Sequence, residues 1–245
     1  MDENRLYDDL AHLYPLIAGP EAYAREAEVW KQILREKLGP GRHRILELGV
    51  GGGFNLSHFT AEYDAVAVDL SPKMVANSMR LNPDVPHSVG DMRTVRLNQT
   101  FKAVLIHDAI CYLTTEDDLR QTFETVNLHL ETGGVVIAAP DWYKETFIDG
   151  QVRHNTMRAG DTLLTHIEYE YDSDPDDTKN DMILLYFIRQ GKALRIEQDH
   201  HILGLFPAET WLRIIKACGF IVERRLCCVH EDGREAWALV GVKTG

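Results

Sequence analysis

The stretch Arg44-Ile45-Leu46-Glu47-Leu48-Gly49-Val50-Gly51-Gly52-Gly53-Phe54 decides how this 245-residue chain is read. Ile45, Leu46 and Leu48 supply the apolar run of a buried strand. Gly49, Gly51 and Gly53 follow at spacing two, where the missing Cβ permits positive φ and lets backbone amides approach a nucleotide-like ligand. Glu47 stands two residues ahead of Gly49, so its carboxylate reaches the turn and attracts a cationic or polyhydroxyl ligand. A dinucleotide site needs G-x-G-x-x-G opening a helix, so that pyrophosphate rests on the helix N-terminus. The sixth position here is Phe54, which argues against that site. A purely structural tight turn is the other reading, and the rest of the chain has to decide.

Working outward, apolar runs alternate with helical patterns, the signature of a doubly wound parallel sheet. Tyr23, Ala27, Trp30 and Leu34 recur at helical spacing, and Gly39-Pro40-Gly41 closes that helix ahead of the first strand. Residues 1–40 thus form an N-terminal helical lid or flank. The second strand is 65–69, and Ser71-Pro72 caps a helix through about Arg80. The fourth strand is 101–107. Thr114 or Thr115 caps the next helix, whose apolar face is Leu119, Phe123, Val126 and Leu130 and whose end is Gly133-Gly134. Residues 135–139 form the fifth strand. Over 141–204 the period changes to two, and three antiparallel strands are predicted as a meander. A helix over 207–218 and a hairpin of 220–229 with 236–242 complete one domain.

Composition narrows the partners. The chain is 44% hydrophobic and 26% charged, enough for one large core, and its net charge is −12 with no Lys/Arg run. A nucleic-acid surface is excluded on that ground, since phosphate backbones require clustered cations. A small-molecule partner is expected instead. Residues 1–20 are acidic and interrupted by Pro15 and Pro20, and no apolar run approaches a membrane span, which predicts a cytoplasmic protein. Cys111, Cys218, Cys227 and Cys228 form no C-x-x-C pair and are read as reduced; adjacent Cys227 and Cys228 point to opposite faces of a strand.

Two acids follow the glycine turn at informative intervals. Asp69 ends the second strand, twenty residues after Gly49, where a carboxylate accepts hydrogen bonds from ribose hydroxyls. Val89-Gly90-Asp91-Met92-Arg93 follows the third strand. The order E-x-G-x-G-x-G, then Asp69, then G-D-M resembles the class I S-adenosylmethionine-dependent methyltransferases. Ile110-Cys111-Tyr112-Leu113, Trp142-Tyr143-Lys144-Glu145-Thr146-Phe147 and His201-Ile202-Leu203-Gly204-Leu205-Phe206 are further similar to the nucleotide-sugar N,N-dimethyltransferases of macrolide aminosugar biosynthesis. Departures are Gly49-Val50-Gly51-Gly52-Gly53, where that group tends to carry A-C-G-T-G, and a single Trp142 after the fifth strand.

The resemblance implies a Rossmann-like seven-stranded, mainly parallel sheet with helices on both faces and an antiparallel meander after the fifth strand. The cofactor implied is S-adenosyl-L-methionine, leaving as S-adenosyl-L-homocysteine. Its implied binding set is Tyr14, Glu47, Gly49, Gly51, Gly53, Asp69, Leu70, Met74, Asp91, Met92 and the backbone carbonyl of His107. Asp91 would meet the adenine amino group, and the Met92 amide a ring nitrogen. Because the sulfonium methyl is already activated, the protein mainly aligns a lone pair, excludes water and removes a proton. Base candidates are His107, Asp108, Tyr112, His200, His201 and Tyr14.

Tyr112 and His201 are favoured for catalysis; the alternatives are an aromatic wall packing on the cofactor for Tyr112 and an exposed structural histidine for His201. Strand alternation places His200, rather than His201, with Leu194, Ile196 and Ile202, whereas the resemblance favours His201. The acceptor is a small polar molecule, an amine of an aminosugar in the preferred reading and a hydroxyl or carboxylate in the other. A cofactor-binding protein without turnover is a third reading. Asp108 and Asp141 resemble a paired-acid Mg²⁺ site, but Trp142 takes the place of its third ligand, so no metal is expected. The meander serves as acceptor wall, as the interface of a homodimer, or as both.

Overall fold

The computed structural model describes residues 4–229 and 235–245. A seven-stranded sheet holds β1 (Arg44–Leu48), β2 (Asp64–Asp69), β3 (His87–Val89), β4 (Phe101–Ile106), β5 (Leu130–Ala138), β10 (Phe220–Val229) and β11 (Glu235–Lys243), in the order β10-β11-β5-β4-β1-β2-β3. β11 runs antiparallel to both of its neighbours and the remaining pairs are parallel. The chain builds outward from β1 to β3 on one side and from β4 to β5 on the other. The order therefore reverses between β1 and β4, where ligands bind beyond the carboxyl ends of the strands.

Each sheet face is covered. Leu46, Leu48, Val104 and Ile106 face α5 (Glu116–His129) and α6 (Ala208–Ala217), including fully buried Phe123 and Trp211. Ile45, Ala67, Leu105 and Ile137 face α2 (Ala24–Leu38), through Trp30 and Leu34. α4 (Pro72–Leu81) starts at Ser71, whose hydroxyl accepts the Met74 N–H, as the Ser-Pro pair predicts. No helix among the described residues is long and apolar enough to cross a membrane.

The second sheet is the meander, and it has four strands rather than three: β6 (Gln151–Ala159), β7 (Thr162–Tyr171), β8 (Lys179–Gln190) and β9 (Ala193–Gly204). β6 is an edge strand with most residues exposed, so it carries no apolar alternation to betray it. The helix expected to end at Gly133-Gly134 stops at His129. Leu130 already pairs with Phe101, and the ladder slips before Ala103 pairs with Val135, which absorbs the glycines in a bulge. Another irregularity, between Leu226 and Cys228, leaves both Cys227 and Cys228 buried instead of on opposite faces.

The N-terminal segment is a strap of short turns that precedes α2. Leu6, Leu10 and Leu13 pack on Leu164, Leu184, Tyr186 and Ile188 of the meander. The Ser71 hydroxyl donates to the Tyr7 carbonyl, Asn77 donates to the Ala11 carbonyl, and Lys73 pairs with Asp8. The strap therefore joins the meander to α4.

Candidate active site

The glycine turn closes on Asp69. Gly49 and Val50 both donate to the Val68 carbonyl, at 2.8 and 3.0 Å. Asp69 Oδ2 accepts the Gly51 N–H at 2.7 Å and Oδ1 accepts that of Ser71 at 2.8 Å. Gly49 (φ 73°), Gly51 (φ 54°) and Gly53 (φ 78°) occupy the left-handed region. A Cβ at Gly49 would collide with Ala109 Cβ, and one at Gly51 would lie 3.1 Å from the Tyr14 hydroxyl. Tyr14 stacks on Phe54, with centroids 5.4 Å apart, and so roofs the turn. Phe54, the residue that departs from the dinucleotide motif, is a buried wall of the site.

Glu47 is buried beneath the turn. Its Oε1 accepts from Asn55 Nδ2 at 3.0 Å, while Oε2 has no hydrogen-bond partner. Burial pushes this carboxyl up to about 7. A cavity of about 560 Å³ is lined by Glu47, Gly49, Gly51, Asp69, Leu70, Asp91, Met92, His107, Tyr112 and Tyr14, among others. Gly53 supports it from behind, with no room for a Cβ beside Ser78 and Asn82. Met74 does not fit its expected place: it is fully buried in α4, 3.9 Å by its sulfur from Asn77 Nδ2, and does not line the cavity. Helical spacing turns it inward under the Ser71 cap.

Asp91 faces the cavity but is already paired. Arg93 binds both its oxygens and reaches Asp118 at 2.6 Å, and this guanidinium holds the Asp91 carboxyl below its ordinary value. The His107 carbonyl accepts the Ile110 N–H, and its imidazole lies 2.9 Å from Glu26 and 2.5 Å from Asp108. Burial opposes charge on that ring, but the two carboxylates outweigh it and raise its pKa well above the ordinary value.

Tyr112 lies in the turn Asp108–Tyr112 after β4 and lines the same cavity. Its hydroxyl is 2.6 Å from His201 Nδ1, and His201 Nε2 is 2.7 Å from Asp199 Oδ2. Asp199 only accepts, so Nε2 carries the proton and the Tyr112 hydroxyl donates to Nδ1. The Tyr7 hydroxyl, 2.8 Å away, completes the chain by donating to Tyr112. Asp199 is fully buried and accepts four N–H groups: Arg5 and His200 on Oδ1, Leu6 and His201 on Oδ2.

The alternation reading of β9 is corrected here. Leu194 and Ile196 are 60% and 57% exposed, whereas His201 is fully buried and lines a small cavity between the N-terminal strap and the meander. Arg195, Glu197 and Asp199 occupy the inner face opposite Ile188, Tyr186 and Leu184, where Arg5 pairs with Glu197. His200 instead bonds Asp181 at 2.6 Å. Tyr7, Asn55, Glu26 and Asp199 were missed in the sequence. Asp199-His200-His201 carried a usable signal, since residues two apart on a strand share a face.

A methyltransferase-domain family profile matches residues 45–134. The dTDP-3-amino-3,4,6-trideoxy-alpha-D-glucopyranose N,N-dimethyltransferase of Streptomyces venezuelae is 30% identical over 218 residues, covering 88% of this chain and 90% of that protein. This chain belongs to the class I S-adenosylmethionine-dependent methyltransferases. The methyltransferase is also 29% identical to the dTDP-4-amino-2,3,4,6-tetradeoxy-D-glucose N,N-dimethyltransferase of Saccharopolyspora spinosa, over 88% of this chain and 86% of that one. The crystal structure of Streptomyces venezuelae DesVI superposes with a TM-score of 0.83 at 29% identity, covering 96% of this chain and 98% of that chain. The sugar N-methyltransferase KedS8 from Streptoalloteichus gives 0.82 at 26% identity, over 91% and 88%. S-Adenosylmethionine is thus the cofactor of this methyltransferase, and the expected seven-stranded, mainly parallel sheet is that of the class.

Proposed function

We propose that the enzyme N-methylates the amine of an aminosugar. The observation that carries this reading is the hydrogen-bonded chain Tyr7–Tyr112–His201–Asp199, which begins at the wall of the cofactor cavity with Tyr7 and Tyr112 and runs back into the buried base of the meander. The names of its relatives, which act on dTDP-aminosugars, support the acceptor class.

The residues present fit the cofactor. Glu47 Oε2, buried and without a partner, suits an ammonium group, and Asp69 retains one lone-pair direction on each oxygen for ribose hydroxyls. Leu70 and Met92 offer apolar surface, and Tyr14 would close the methionine side. Asp91 would meet the adenine amino group while paired with Arg93, so its contribution would be shared with that pair. When bound, S-adenosylmethionine supplies an activated methyl group.

The chain's own work is proton handling and exclusion of water. Burial raises the Tyr112 hydroxyl well above its ordinary value, so Tyr112 does not act as a base by ionising. It takes a proton from the acceptor nitrogen only by passing its own to His201 Nδ1, with Asp199 stabilising the imidazolium that forms. Tyr112 is therefore a conduit and His201 the base. Incubation with S-adenosylmethionine and dTDP-3-amino-3,4,6-trideoxyglucose should give mono- and dimethylated sugar by mass, and dTDP-glucose should give none. Methylation of the hydroxyl compound alone would overturn the reading.

The outer face of the meander supports a homodimer. Leu194, Ile196 and Tyr169 are exposed there beside half-buried Ile183, Leu185 and Phe187, an apolar sheet face that a second copy would cover. Sedimentation should give a dimer that Ile196→Glu dissociates; a wild-type monomer would refute it.

A further inference from the structure

Three cavities meet in this molecule. Besides the cofactor cavity there is one of about 630 Å³ under the meander and the C-terminal hairpin, and a smaller one of about 190 Å³ between the strap and β7–β9. Two residues, Tyr23 and Asp108, line all three. Asp108 is the first residue of the turn after β4, beside the point where the strand order reverses. An acceptor atom bound on the meander side and facing the cofactor cavity has to pass this carboxylate.

The surroundings of Asp108 leave its negative charge available. His107 lies between Asp108 and Glu26, with its ring against Tyr23 and Trp30 at 5.2 and 5.1 Å, so one imidazolium faces two carboxylates. Asp141, three residues beyond β5, lines the two acceptor-side cavities; burial and the Asp108 charge raise its carboxyl well above the ordinary value, so it keeps its proton and donates it to the Asp108 carboxylate, while its backbone N–H donates to Cys111 Sγ at 3.2 Å. The other charged groups of the meander-side cavity are Glu168, Glu235 and Arg153, and Arg153 is committed to Glu168 and Glu170. A carboxylate cluster with its guanidinium already paired favours a cationic guest.

We infer that Asp108 receives the acceptor as its ammonium ion and aims that nitrogen at the cofactor cavity, with Asp141 as the hydrogen-bonded neighbour that fixes its carboxylate. This rests on the aminosugar reading above. It separates two tasks: Asp108 selects and positions the charged amine, and the Tyr112–His201 chain removes the proton.

The test is calorimetry on the full chain loaded with S-adenosylhomocysteine, with dTDP-3-amino-3,4,6-trideoxyglucose and its 3-hydroxy counterpart as probes. The wild type should prefer the amine by about tenfold or more, the scale of one hydrogen-bonded charge. Asp108→Asn should lose most of that preference while S-adenosylhomocysteine affinity stays within about twofold. Asp108→Glu, which keeps the charge and displaces it, should restore part; should the Asn variant not fold, an undiminished preference in the Glu variant overturns the proposal. Full preference retained in Asp108→Asn overturns it and leaves the aminosugar reading standing. No preference in the wild type removes both. A variant that loses S-adenosylmethionine but not S-adenosylhomocysteine affinity would assign Asp108 to the sulfonium and overturn the proposal.

Discussion

Replacing Asp199 by Asn changes one atom type at the point where the strap, the meander and the proton chain join. The carboxylate accepts four N–H groups, from Arg5, Leu6, His200 and His201, at 2.7 to 2.9 Å, in a fully buried position. An amide keeps one oxygen able to accept two of them, and its NH₂ faces the other two. Each buried donor left unpaired costs about 1–3 kcal/mol, so the expected loss is about 2–6 kcal/mol. That is a large share of the ~5–15 kcal/mol that holds a domain folded.

The pH dependence has a definite sign. Burial pushes the Asp199 carboxyl up, but His201 and the strap N–H groups outweigh it and hold its pKa below 3.8. The carboxylate's contribution is therefore complete above its ordinary value and is lost as pH falls through the depressed one. Urea unfolding should show the full difference between wild type and Asp199→Asn at pH 7 and a narrowing one below about pH 4. The variant also deprives His201 of the acceptor that fixes its tautomer, so kcat should fall by about 10²-fold or more. A stability loss under about 1 kcal/mol, or an unchanged kcat, would refute the reasoning.

Glu47→Gln should weaken S-adenosylmethionine binding yet stabilise the cofactor-free fold. The Glu47 carboxyl is raised from 4.5 to about 7, so ionising it costs stability as pH rises through that window. Melting temperatures should separate at pH 8 and converge near pH 5; equal separation at both would count against the buried unpaired oxygen. Gly49→Ala should cost about 2–5 kcal/mol, from positive φ plus the collision with Ala109, and Ala109→Gly should recover part of it. A double variant no more stable than Gly49→Ala would show that the collision is not the cause. Tyr112→Phe should reduce kcat by about 10²-fold with cofactor affinity unchanged; an equal rate would make Tyr112 a packing wall.

The parallel core was legible because its strands are continuously apolar and its glycines and acids recur at fixed intervals. Gly49, Gly51 and Asp69 come together as the spacing suggests. The second layer was not. β6 is polar on both faces, and the inner face of β9 carries charges because Arg5, nearly two hundred residues away, neutralises Glu197 while the Arg5 backbone N–H bonds Asp199. Sequence alternation marks the apolar face, and here that face is the outer one. Met74 failed for the opposite reason, since its place beside the turn in sequence is overridden by the helical direction of its side chain. Local pattern cannot report such long-range compensation.

Among the described residues, the walls of the cofactor cavity and the larger meander-side cavity have only Tyr23, His107 and Asp108 in common. Asn4, Tyr7 and Tyr14 of the strap wall the first and not the second. Lifting residues 4–14 would open the cofactor cavity and the small cavity beside it while leaving the walls of the larger meander-side cavity in place. The relatives named as N,N-dimethyltransferases put two methyl groups on one nitrogen and must exchange the spent cofactor between transfers. If this enzyme shares that double transfer, separate walls let the cofactor leave while the monomethylated product stays seated.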